Sequence, residues 1–83
     1  MLCFFNIAGA VYDPGVEGME MASLGEAREQ AAKFVGEYIE DRPNVVWLGD
    51  EVRVEVTDAN RLVLFTVIVM GVDAPATSQT GWG

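Results

Sequence analysis

Glu51-Val52-Arg53-Val54-Glu55-Val56-Thr57-Asp58-Ala59-Asn60-Arg61-Leu62-Val63-Leu64-Phe65-Thr66-Val67-Ile68-Val69-Met70 is the stretch that decides the fold. In its first part Val52, Val54 and Val56 alternate with Arg53, Glu55 and Thr57, the period of two that marks a strand with one buried and one wet face. Asp58-Ala59-Asn60-Arg61 breaks the run, and Leu62 to Met70 follows without a single charge. The two runs form a hairpin whose first arm is apolar on one face and whose second arm is apolar on both. Strands apolar on both faces belong in the middle of a sheet. That nominates the first and last strands of the chain as the central pair.

Working outward from the hairpin, Leu2 to Ile7 predicts the first strand, apolar on both sides apart from Asn6. A brief second strand is expected at Val11-Tyr12, a turn at Asp13-Pro14-Gly15, and an irregular approach to a helix from Val16 to Ala22. Ser23 and Glu26 have the spacing of a capping box, in which each side chain satisfies a free N–H of a helix's first turn. Leu24, Ala27, Ala31, Phe34, Val35, Tyr38 and Ile39 then fall on one stripe, with Glu26, Glu29, Gln30, Lys33, Glu37 and Glu40 opposite. Pro43 stops the helix at Asp41 or Arg42. Asn44 to Asp50 reads as a loop or a short extended segment, and the small polar residues after Gly71 as a mobile tail. The expected architecture is an α+β domain over residues 1–71. A small antiparallel-rich sheet in the order β-β-α-β-β carries one helix on one face, and the tail occupies 72–83.

Composition bounds the function. With 83 residues, 51% of them hydrophobic and 22% charged, the chain suits one globular domain with its own core. Its net charge of −8 rests on thirteen acids against five bases. That disfavours direct binding to nucleic acid or anionic membranes. There is no histidine, which removes the usual general base and the commonest zinc ligand. Cys3, the one cysteine, lies within Leu2-Cys3-Phe4-Phe5 and reads as a buried, inert thiol. Ala8-Gly9-Ala10 superficially resembles a signal-peptidase site, but no Lys or Arg precedes it. Leu62 to Met70 is too short to span a bilayer. A cytoplasmic protein with no cofactor is expected.

Phe4-Phe5-Asn6-Ile7, Asp13 with Glu17-Gly18-Met19-Glu20, Ala27-Arg28-Glu29-Gln30-Ala31, Trp47, and Val54-Glu55-Val56-Thr57-Asp58 with Leu64-Phe65-Thr66-Val67 form a recurring pattern. Across residues 3–70 the chain resembles a family of small bacterial proteins of unknown function. Members of that family open on an aromatic pair and a short hairpin, followed by an acidic D…EG-x-E loop. An A-R-x-x-A helix and a V-T-D-E-x-G-R hairpin complete the pattern. The resemblance implies the fold and carries no activity. Three departures mark this chain. Asn6 stands where a histidine is frequent, and the spacing from Asp13 to Gly18 is longer. Arg61 stands at the hairpin glycine, so that Asn60 is expected to take the left-handed position.

Asp13, Glu17 and Glu20 gather around a glycine-containing loop, but their spacing is not that of a calcium loop, and a solvated acidic loop is the expectation. Arg28 sits beside the apolar stripe, with an acid of that loop or Asp58 as its expected partner. Adjacent acids such as Glu40-Asp41 and Asp50-Glu51 read as solvated element ends, and no metal site, phosphate loop or nucleophile motif is found. The chain therefore reads as non-enzymatic. One helix can cover only one sheet face. The uncharged strand therefore predicts a second subunit packed sheet to sheet, with Val63, Phe65, Val67 and Val69 at the interface, or the alternate row around Leu64 if the register is shifted. Trp47 either caps the core or anchors that interface. Trp82 of the tail is the competing cover. The rival reading is a small acidic inhibitor or decoy that occupies a basic site on another protein.

Overall fold

The computed structural model describes residues 1–9, 15 and 17–76. Its elements are β1 (Leu2–Gly9), β2 (Met19–Glu20), α1 (Leu24–Asp41), a 3-10 turn (Pro43–Trp47), β3 (Val52–Thr57) and β4 (Val63–Val69). The four strands make one antiparallel sheet in the order β2-β1-β3-β4, with α1 on one face. This is the two-layer α+β arrangement that the periodicities predict.

The helix starts where its cap says it should. Ser23 Oγ accepts from the Glu26 N–H at 3.1 Å, and Glu26 Oε2 accepts in return from the Ala22 N–H at 2.9 Å. The stripe turns Ala27, Ala31 and Val35 into the core, with Phe34, Tyr38 and Ile39 packed along its margin. Alanines at the two central positions let the helix axis approach the sheet closely. At the other end the Arg42 N–H donates to the Tyr38 and Ile39 carbonyls, and its guanidinium lies 4.5 Å from the centre of the Tyr38 ring. Pro43 forbids a further helical turn, and the chain tightens into the 3-10 turn, which buries Val45. Of the segment expected to be loop or extended, Asn44 to Trp47 lie in this 3-10 turn, and residues 48–50 are irregular.

On the helix side of the sheet, Cys3, Phe5 and Ile7 of β1 pack with Val52, Val54 and Val56 of β3. The ring centres of Phe5 and Phe34 are 6.0 Å apart. Register brings Phe65, Val67 and Val69 opposite Val56, Val54 and Val52. A bulge at the start of β4 sets Leu64 and Phe65 against Val56, and Leu64 also packs on the core.

Three expectations are corrected. The central pair is β1 and β3, with β4 at the edge. β4 is apolar on both faces and lies there with its second row uncovered among the described residues. The approach to the helix contains a strand: β2 pairs Leu2 with Glu20 and Cys3 with Met19, too briefly to leave a periodic signal. In the hairpin turn the left-handed residue is Arg61, φ 66°, rather than Asn60. Asp58 decides this: its Oδ1 accepts from both the Asn60 and Leu62 N–H groups, while its carbonyl accepts from Arg61. That wraps the turn around Asp58 and leaves Arg61 to reverse the chain. The strand expected at Val11-Tyr12, the turn at Asp13-Pro14 and the tail from Thr77, with Trp82, lie outside the described residues.

Candidate functional site

The face of the sheet turned away from α1 has two halves. Over β1, Gly15 and Gly18 lie on it. Asn6 Oδ1 accepts from the Gly15 N–H at 2.9 Å, while Asn6 Nδ2 donates to the Glu55 carbonyl at 3.0 Å. Gly15 is seated against the Phe5 backbone so closely that a Cβ would overlap the Phe5 carbonyl oxygen. Gly18 lies against the Leu2 and Phe4 side chains. Ala8 is buried there, and Phe4 and Asn6 are half-buried. Asn6 therefore works as a clamp that holds Gly15 to the sheet. The residue type alone marks Asn6 as the polar exception in its strand; the clamp needs the fold.

β3 supplies the middle row of this face. Arg53 pairs with Ala8 on one side and Ile68 on the other, and Glu55 with Asn6 and Thr66. The Arg53 guanidinium donates to Glu51 Oε1 at 2.7 Å and reaches Glu55 Oε2 at 3.5 Å. A hydrogen bond from its own backbone N–H, and after it the Arg53 guanidinium, holds the Glu51 carboxyl below the usual carboxylate range. Arg53 is raised in turn, first by its hydrogen bond to Glu51. The three charges close on one another.

Over β4 the face is bare among the described residues. Ile68 is 61% exposed, Val63 57%, and Leu62 and Met70 at the strand ends 63% and 51%. Trp47 is 60% exposed; one side of its ring lies on Gly71, whose N–H donates to the Val46 carbonyl at 2.8 Å. Mostly exposed, Trp47 does not cap the core; it packs on Gly71 just past β4, and its chain neighbour Leu48 and Gly71's neighbour Val72 are exposed as well.

This geometry corrects the row assigned to the open face. Phe65, Val67 and Val69 lie on the helix side, half-buried against the core, because the register places them opposite Val56, Val54 and Val52. The open row is Thr66 and Ile68, opposite Glu55 and Arg53, continued by Met70, with Val63 exposed beyond the bulge. Arg28 makes no ion pair among the described residues. Glu20 Oε1 accepts instead from the Met1 amino group at 2.7 Å, and Asp58 is engaged in its turn. Among the described residues no group of three or more His, Cys, Asp or Glu side chains could hold a metal ion; Asp13 lies outside them. No described helix is long and apolar enough to cross a membrane.

A four-stranded antiparallel sheet with one helix on one face, with Gly15 and Gly18 seated over β1 on the other and the edge strand bare among the described residues, defines a small α+β sandwich domain. The chain belongs to a family described as a domain of unknown function, DUF6894, whose model matches residues 2–70. No curated protein and no solved structure matches it.

Proposed function

We propose that this domain is a non-enzymatic interaction module that associates with itself through its sheet, in the cytoplasm of a bacterium. The observation that carries the reading is the bare half of the open face: Ile68, Met70 and Val63 stand exposed along β4 among the described residues, and Trp47, against Gly71 past the strand's end, is itself mostly exposed. Fully burying each such side chain would contribute roughly 1.5–3 kcal/mol, which a monomer forgoes. The absence of histidine and the burial of Cys3 favour the non-enzymatic side of the reading.

The distribution of acids weighs against a decoy for a basic site. A decoy needs carboxylates from several elements aligned on one surface. Here Glu26, Glu29, Glu37 and Glu40 are exposed along α1, while Glu51 and Glu55 lie across the sheet from them and are tied to Arg53. Sedimentation velocity across a micromolar concentration series tests the module. A reversible dimer is expected, and a monomer at every concentration would end the proposal.

A further inference from the structure

β4 ends the sheet, and no described residue pairs with its far side. Alternate N–H and C=O groups along the strand therefore point away from β3. Proteins blunt such edges with a charge, a proline, a bulge or brevity. From Phe65 to Val69 this strand has no charge and no proline, and its bulge falls before that run. Both of its rows are unfinished. On the helix side Phe65, Val67 and Val69 are only half-buried, and on the open side Ile68 is exposed. A body laid on the open face would cover one row. A strand added at the edge would extend both.

Resting on the self-association read above, we propose that the added strand is β4 of a second copy of this chain. It runs antiparallel about a two-fold axis, so that the two sheets join into one. The edge is complementary to itself. An axis at Val67 sets Phe65 against the partner's Val69 and Val67 against the partner's Val67 on the helix side, with Thr66 against the partner's Ile68 on the other. No charge meets another across the joint, which matters in a chain of net charge −8. The nearest charged row, Arg53 and Glu55, lies one strand further in and is already paired.

Amide exchange followed by NMR on the full-length protein, at one concentration well below and one well above the sedimentation midpoint, tests this. The expected result is a dimer in which alternate amides between Leu64 and Val69 slow about tenfold or more as it forms. A dimer whose β4 amides exchange at one rate throughout overturns edge pairing and leaves association through the open face. A monomer at all concentrations overturns both readings. Protection of those amides already complete in the monomer would put a segment of the same chain on the edge and overturn the proposal.

Discussion

Arg61 carries a backbone conformation that its side chain disfavours. A left-handed φ costs an L-residue roughly 1–2 kcal/mol, whereas glycine adopts it freely at some cost in chain entropy. Arg61→Gly should therefore raise stability by about 0.5–1 kcal/mol in chemical denaturation. A loss would mean that the arginine stem contributes more than the strain costs. Glu51 sets a different expectation. Its folded carboxyl titrates below the usual value of 4.5, so its contribution is fully present above that value. It is lost as pH falls through the depressed folded value. Urea unfolding across an acid series should show stability declining through that window, and Glu51→Gln should flatten this part of the decline. An unchanged slope would show that neither the backbone hydrogen bond to the Glu51 carboxylate nor its contact with Arg53 persists in solution. Gly9 admits no substitution: at φ 96° a Cβ there would run into the Glu51 carbonyl, where β1 meets the start of β3.

Among the elements, α1 invites a paired test. Ser23→Ala removes the Oγ that accepts from Glu26 and should cost roughly 0.5–2 kcal/mol. Gly36 is exposed, with nothing within 4 Å of where its Cβ would stand. Gly36→Ala should therefore add about 1 kcal/mol. Denaturation midpoints moving in opposite directions would confirm both the helix start and its exposed face. The helix was legible because its signals are local: a capping pair three residues apart, a stripe, a proline. The hairpin was legible for the same reason, since Val52, Val54 and Val56 alternate cleanly. Strand order was not. Leu2–Ile7 and Leu62–Met70 are equally apolar, but composition does not say which has its second face covered by its own chain. The difference lies in the Asn6 clamp and the close seat of Gly15, both of which need residues brought together by folding. The open row was misplaced for a related reason. Two alternations of β4 are equally apolar, and only pairing with β3 chooses between them.

At the scale of the whole molecule, the proposed self-association would make stability depend on how much protein is present. Partner binding favours the folded state by mass action. On that proposal the thermal midpoint should rise with protein concentration through the micromolar range, and a midpoint indifferent to concentration would count against association. The two sides of the sheet differ in a way that bears on how far such association runs. β2 is two residues long, and behind it Gly15 is pressed onto the Phe5 backbone. A valine-rich strand without charge is the usual seed of fibres, which lengthen because every added molecule offers a fresh end. A molecule with one receptive end and one blunt end is terminated by its first companion. If β4 pairs as proposed, the brevity of Met19–Glu20 acts as a stop, holding an otherwise sticky sheet to a finite particle rather than a polymer.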